Sequence, residues 1–467
     1  MIVLKFGGTS LENAAAMNTA IRIIDERSDR SPVVVLSAVA GTTNTLLTAA
    51  RLAREGSLEK ALELLNTLLD RHVVILENLL ESRNTIQRLI LEIRRRFEEL
   101  RQLCQGISFL GELTDRSLDG IASYGEQLST MIMTETLNER RIQAEHIDAR
   151  KFMVTGEEFT AAVPLFEEIR TRLESLVKPH IAAGKTVVTE GFMGATRKGI
   201  TTTLGRGGSD YSAAIIGAAL DAKEIQIWTD VDGILTADPR ICPGAHRIRV
   251  ISFREASELA YFGAKVLHPS TILPAVQKNI PVSVLNSRKP GSSGTLIIAN
   301  PPASPLPVKS IASKKGITVI NIQSTRMLMA YGFLEKIFSV FHRYKTPVDL
   351  VTTSEVAVSL TIDATDHLDR IVADLSAAGE VATYSNKAIV CIVGEQMRST
   401  AGIADRVFRA LRAINLTMIS QGASEINMSL VLDEADVHEA VRRLHDEFFT
   451  SQPANEVLDP IPHEASS

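Results

Sequence analysis

Along residues 1 to about 298, short β-branched or aliphatic runs alternate with longer stretches whose apolar positions recur every three or four residues. Ile2–Phe6, Val33–Ser37, Gln143–Asp148, Thr186–Thr189, Ile225–Trp228 and Val282–Leu285 carry the first pattern and read as strands. Strands interleaved with helices in this way predict the α/β class, with a mostly parallel sheet sandwiched by helices. Between residues 57 and 103, Leu58, Leu62, Leu65, Leu69, Leu89, Ile90, Ile93 and Phe97 recur at helical spacing among many charges, which predicts a helical insertion. Asn300-Pro-Pro-Ala-Ser-Pro-Leu-Pro307 then breaks the pattern, because proline neither continues a helix nor donates to a sheet ladder. A first domain over 1–299 and a linker over 300–307 follow.

Beyond the linker the chain repeats itself at a shift of 70 residues (327 to 397). Met327, Gly332, Phe338, Ser354, Glu355, Ser359, Leu360, Asp363 and Asp366 match Met397, Gly402, Phe408, Ser424, Glu425, Ser429, Leu430, Asp433 and Asp436 without a gap. Each copy reads close to the βαββαβ order of a ferredoxin-like unit, and the pair resembles ACT domains, small-molecule sensing modules. They are expected over 308–384 and 385–451. A proline-containing polar tail over 452–467 is expected to be mobile.

Composition narrows the classes. Hydrophobic residues make up 45% of the 467 and charged ones 22%, with a formal net charge of −5, so neither a nucleic-acid nor a polybasic membrane partner is expected. No apolar run approaches the roughly 20 residues of a membrane span. The N-terminus lacks the regions of a signal peptide, and a cytoplasmic protein is expected. Cys104, Cys242 and Cys391 are remote from one another and from histidines at metal-ligand spacing, so three reduced thiols are expected and no metal ligands are assigned to side chains.

Three loops carry chemistry. Lys5-Phe6-Gly7-Gly8-Thr9-Ser10 follows a strand, where glycine backbone N–H groups can reach phosphate oxygens and a lysine adds a point charge. Gly205-Arg206-Gly207-Gly208-Ser209-Asp210 opens a small-residue helix and can form an anion nest, with an arginine able to grip a carboxylate. Trp228-Thr229-Asp230-Val231-Asp232-Gly233 and Asp238-Pro239-Arg240 end a further strand, on the side where parallel sheets bind ligands. Each has a bland reading as a turn or helix cap, and only their convergence argues for function. No Gly-x-x-x-x-Gly-Lys-[Ser/Thr] occurs: Gly184-Lys185-Thr186 lacks the earlier glycine, since Pro179 stands there, and Gly184 reads as a helix C-cap. Gly-x-Gly-x-x-Gly is likewise missing.

Together with Ser37-Ala-Val-Ala-Gly-Thr-Thr-Asn44, Ser123-Tyr-Gly-Glu126, Thr189-Glu-Gly-Phe192 and Ala264-Lys-Val-Leu-His-Pro269, these loops resemble, in order, the motifs of aspartate kinases of the amino acid kinase fold. The resemblance covers the chain to about residue 450. It implies MgATP-dependent phosphorylation of the L-aspartate β-carboxylate. Lys5, Gly7, Gly8, Ser10, Thr229, Asp230, Leu235, Arg240, Lys265 and Val266 would serve ATP. Glu126 would take the substrate ammonium and Arg206 its α-carboxylate, with Thr43, Gly207, Ser209 and Asp210 around it, and Lys5, Arg206 and Asp210 would be catalytic. Leu235 stands where many members carry tyrosine, so an aromatic contact to the nucleotide would be missing.

In the first repeat Met327, Phe333, Leu334, Val348, Asp349, Thr353, Ser354 and Glu355 resemble the effector pocket of lysine-inhibited single-function members. Asp349 and Glu355 would receive the two ammonium groups of the effector, lysine more readily than threonine. Paired repeats of this type imply a homodimer or a dimer of dimers. Kinases of glutamate, acetylglutamate, carbamate or UMP share the glycine loops but are disfavoured by Glu126 and the paired repeats. A non-catalytic sensor is disfavoured by intact Lys5, Arg206, Asp210 and Lys265, and no fused homoserine dehydrogenase is expected.

Overall fold

A computed structural model describes residues 1–262, 269–302, 307–324, 331–450 and 458–460. These divide into two compact units, the first comprising Met1–Ile234, Val250–Phe253 and the described chain from Pro269 to Pro301.

In the first unit, eight strands form one sheet: β1 (Ile2–Phe6), β2 (Pro32–Leu36), β3 (Ala144–His146), β4 (Thr186–Glu190), β5 (Ile225–Thr229), β6 (Val250–Ser252), β7 (Val282–Asn286) and β8 (Thr295–Ile298). Their spatial order is β6-β8-β7-β5-β1-β2-β4-β3. All pairings are parallel except that of β7 with β8. Every residue of β1, β2 and β4 is buried, as strands covered on both faces require, and this is why they read as continuous apolar runs. The six strands expected from sequence are all present. A separate small sheet, Val154–Thr155, Met193–Thr196 and Thr201–Thr203, was not legible, since two to four residues are too few to show a period.

The expected insertion is two helices, Leu58–Leu79 and Arg83–Leu110. The second outruns the expected end at 103 because Cys104 and Ile107 continue its buried stripe to Gly111, which caps it at φ 68°. Leu65, Leu68, Phe97 and Leu100 join the same core as Leu4 and Phe6, so these helices are part of the domain rather than an appendage.

The second unit takes in Leu235–Arg249, the segment starting at Arg254, and the chain beyond the linker, whose residues 303–306 lie outside the described ones. Six strands, β9 (Ser310–Gln323), β10 (Val351–Thr353), β11 (Ala357–Ile362), β12 (Glu380–Val393), β13 (Leu416–Gln421) and β14 (Asn427–Asp433), are ordered β10-β11-β9-β12-β14-β13. The repeat is plain in space: Gly332 and Gly402, 70 positions apart, each precede a helix in left-handed conformation. The copies are not consecutive, however. The half of β9 from Ile317 onward pairs with β11 and with the first half of β12, whereas Ser310–Lys314 pairs with Ile389–Val393. The fourth strand of the second copy thus comes from residues the sequence reading gave to the first. A register shift between Lys314 and Ile317 marks the changeover.

Within the expected mobile tail, Leu458–Pro460 pair with His246–Ile248, with Leu458 buried; an apolar residue among polar ones explains the return. Among the described residues no helix is long and apolar enough to cross a membrane, and all three cysteines are free and buried.

Candidate functional site

Lys5 is the one charged residue of an apolar central strand, paired across to Val35 and Ile227. Its Nζ lies 2.7 Å from Asp210 Oδ1, with both side chains largely shielded. The glycine loop after β1 is anchored by Gly7 N–H donating to Trp228 O (3.0 Å) and by Ser10 Oγ at 2.7 Å from Ser287 Oγ. Ala40 N–H donates to Gly8 O, and a Cβ on Gly8 would meet Ala38 O at 3.0 Å, so the loops after β1 and β2 touch where only glycine fits.

The helix Gly208–Ala219 starts from Gly207 at φ 71°, a left-handed conformation suited to glycine, and carries Asp210 in its first turn. This aims Gly207, Gly208 and Ser209 at the end of the sheet where β1 and β2 terminate. Lys5, Gly8, Thr43, Glu126, Arg206, Gly207, Ser209 and Asp210 all line one cavity of about 580 Å³.

Glu126 is buried on the helix Tyr124–Glu139. Its Oε1 accepts from Ala38 N–H at 3.2 Å, and no described residue hydrogen-bonds Oε2. Burial pushes its carboxyl up to about 8, the Ala38 N–H pulls it back, and Glu190 nearby adds repulsion. A buried acid with an idle oxygen in a cavity wall is prepared for a cation.

Arg206, by contrast, is exposed at the cavity, free to reach an incoming anion. Its loop is held from behind by Asp119, which accepts from Thr160 N–H, Thr203 N–H and Thr203 Oγ1 at 2.9, 2.9 and 2.6 Å. Asp119 thereby fixes Thr160 at φ 68°, and burial raises its carboxyl despite these donors.

Other expected residues fall elsewhere. Gly7, Ser10, Thr229 and Asp230 lie at the β1 and β5 ends but outside the cavity wall, with Thr229 Oγ1 donating to Asp230. Leu235 and Arg240 belong to the second unit. Arg240 is exposed and held in its own loop by Asp238 at 2.6 Å. Lys265 and Val266 lie outside the described residues. Asn44, Arg51, Asp119 and Phe192 line the cavity without having been singled out. Asn44 and Phe192 at least stand inside recognised motifs, whereas for Arg51 and Asp119 nothing local distinguishes them from other helical charges.

Of the residues expected to hold an effector, Met327 lies outside the described residues. Phe333 is buried, Val348 packs on the core of the first repeat, and Leu334, Thr353, Ser354 and Glu355 are exposed. Asp349 is the departure. Its side chain is almost fully buried, and Oδ1 already receives Lys314 Nζ at 2.8 Å and the Tyr261 hydroxyl at 2.6 Å. Oδ2 has no hydrogen-bond partner among the described residues. Burial works against the Lys314 ammonium, yet Asp349 and Asp363 hold its pKa above the ordinary value.

Residues 1–286 match the amino acid kinase family and residues 390–448 an ACT domain. The chain is 38% identical to lysine-sensitive aspartokinase 3 of Escherichia coli, over 96% of this chain and 99% of that protein. It is also 38% identical to chloroplastic aspartokinase 2 of Arabidopsis thaliana, over 97% and 85% respectively. Among solved structures, E. coli aspartokinase III with aspartate and ADP in the R-state superposes with a TM-score of 0.84 at 37% identity, covering 96% of this chain and 100% of that one. The same enzyme with lysine and aspartate in the T-state gives 0.80 at 38% identity, over 96% and 99%.

Proposed function

Taking as premise that the chain belongs to the aspartokinases of the amino acid kinase family, which phosphorylate aspartate with a nucleotide, we propose how its own side chains divide that work. Glu126 receives the substrate ammonium on its idle oxygen, and Arg206 grips the α-carboxylate. Thr43 and Ser209 bracket the molecule between them. One observation carries this reading: a buried unpaired acid, an exposed arginine and the Lys5–Asp210 pair line the same cavity.

The β-carboxylate so oriented has an ordinary pKa of about 3.9 and is ionised at neutral pH, so it needs no base to become a nucleophile. Catalysis then rests on in-line positioning and on compensating charge at the transferred phosphoryl group. Lys5 supplies one compensating charge, passing from Asp210 to a phosphate oxygen when the nucleotide enters, while the backbone of Gly7 and Gly8 lies against the phosphates. Magnesium, when bound, neutralises phosphate charge. Asp210, beside Lys5, is the carboxylate that would hold such an ion together with the nucleotide's own phosphates.

Free lysine is the effector this reading assigns to the repeats, supported by the lysine-sensitive relative and by the buried Asp349 with an idle oxygen.

The test is ADP release from MgATP with aspartate, glutamate or neither, trapping the acyl phosphate with hydroxylamine. Aspartate-dependent hydroxamate is expected, suppressed by millimolar lysine. Equal turnover with glutamate would overturn the pocket assignment, and aspartate turnover indifferent to lysine would overturn the effector.

A further inference from the structure

Arg71 stands in the middle of the helix Leu58–Leu79, in the insertion, and nothing in the proposed chemistry uses it. Its guanidinium is part-buried and reaches two loops at once: Nη1 donates to Ala40 O at 2.6 Å and Nη2 to Glu12 O at 2.8 Å. Ala40 belongs to the loop that supplies Ser37 to Gly41 and then Thr43 to the cavity wall. Glu12 stands at the end of the short helical turn Gly8–Leu11 that continues the glycine loop of Lys5 to Ser10. These loops already meet on the cavity side, where Ala40 N–H donates to Gly8 O. Ala40 is therefore held at both of its backbone groups, its N–H by Gly8 O and its C=O by Arg71.

A planar fork with donors at fixed spacing suits such a bridge; lysine's compact ammonium has rotatable donors but no fixed spacing, and would set the separation of the two carbonyls less firmly. The helix carrying Arg71 is itself fixed by Leu68 and Ile75 in the main core, with His72 buried beside them. The clamp therefore has a rigid base.

We propose that Arg71 is a positioning residue for phosphoryl transfer, setting the distance between the phosphate loop and the loop that orients the acceptor carboxylate, and that this gives the helical insertion a part in turnover. It touches neither substrate. A displacement near 1 Å between reacting groups can cost about 100-fold in rate, so the effect belongs in kcat more than in either KM.

This inference rests on the aspartokinase reading of the cavity, which the parent enzyme tests first by forming aspartyl hydroxamate. Given that activity, Arg71→Met is expected to lower kcat roughly 10- to 100-fold. Arg71→Lys should recover part of the loss, and guanidinium ion at millimolar concentration should restore part of the activity of Arg71→Ala. Arg101→Met is the control, since Arg101 bonds Asn66 on the same helix pair at 2.5 Å without reaching either loop. It should shift the melting temperature but leave kcat unchanged. Folded Arg71→Met enzyme with kcat within twofold of the parent would overturn the proposal, as would an Arg71→Lys variant no better than Arg71→Met, or an equal kcat loss in Arg101→Met.

Discussion

Glu126 illustrates how far a single buried carboxyl can set the behaviour of an enzyme. With its pKa raised by burial to about 8, it is protonated at neutral pH in the free protein, yet it must be ionised to pair with an ammonium. For aspartate, kcat/KM should therefore rise with pH, approaching a tenfold gain per unit, and level off above about 8, because that ratio reports the free enzyme. The limb in kcat should lie at lower pH, where the bound ammonium favours the carboxylate. Glu126→Gln should abolish the dependence and leave a low, flat kcat/KM, and an unchanged pH profile in that variant would remove Glu126 from the substrate site. The same shift has a sign for folding. Between 4.5 and about 8 the folded chain keeps a proton that the unfolded chain releases, so this group's stabilising contribution is full at the acidic end and lost as pH rises through 8.

At the scale of elements, the helix Phe253–Tyr261 ties together what the sequence presents as separate pieces. Glu255, Glu258 and Tyr261 are spaced one turn apart along it. Glu255 pairs with Lys309, buried and also bonded to Glu395 at 3.0 Å. Glu258 accepts from Asn427 Nδ2 at 2.6 Å in the second repeat. Tyr261 donates to Asp349 in the first. Lys314, across Asp349, is an internal ammonium on the carboxylate assigned to an external one. Lys314→Met should lower the lysine concentration for half-inhibition, by roughly tenfold if one charge-assisted bond worth about 1.4 kcal/mol is no longer in competition. Titrating inhibition in both proteins decides it, and a higher half-inhibition concentration in the variant would refute internal competition.

The sequence could show the strands of the first unit, because burial on both faces writes itself as unbroken apolar runs, and it could show the repeat, because Gly332 and Gly402 hold equivalent caps. Through their motifs it could single out Lys5, Glu126, Arg206 and Asp210, which line one cavity. It could not show that Asp349 is taken by Lys314 or that Arg71 holds two loops. Such pairs are set by tertiary packing between positions 31 or more residues apart, and a charge on a helix reads the same whether or not it meets a carbonyl.

For the whole molecule, association is the property still to be measured. Val351 and Ile419 are exposed on β10 and β13, the end strands of the six-stranded sheet, and Val356 is exposed in the turn between β10 and β11. These two strands also approach each other within the chain, so what they offer a second chain is their exposed apolar side chains. Light scattering should give at least twice 50.9 kDa, and a monomer at assay concentrations would rule out pairing through these side chains. The crossed strands β9 and β12 have a different consequence. Because one half of each serves the first repeat and the other half the second, no single cut in the polypeptide frees one repeat intact: severing the chain after Tyr384 takes away the strand against which Ser310–Lys314 lies. The two sensors are spliced like timbers in a scarf joint. They can be inherited, lost or exchanged only as a pair, and a shift along one strand in either repeat is delivered to the other through continuous backbone.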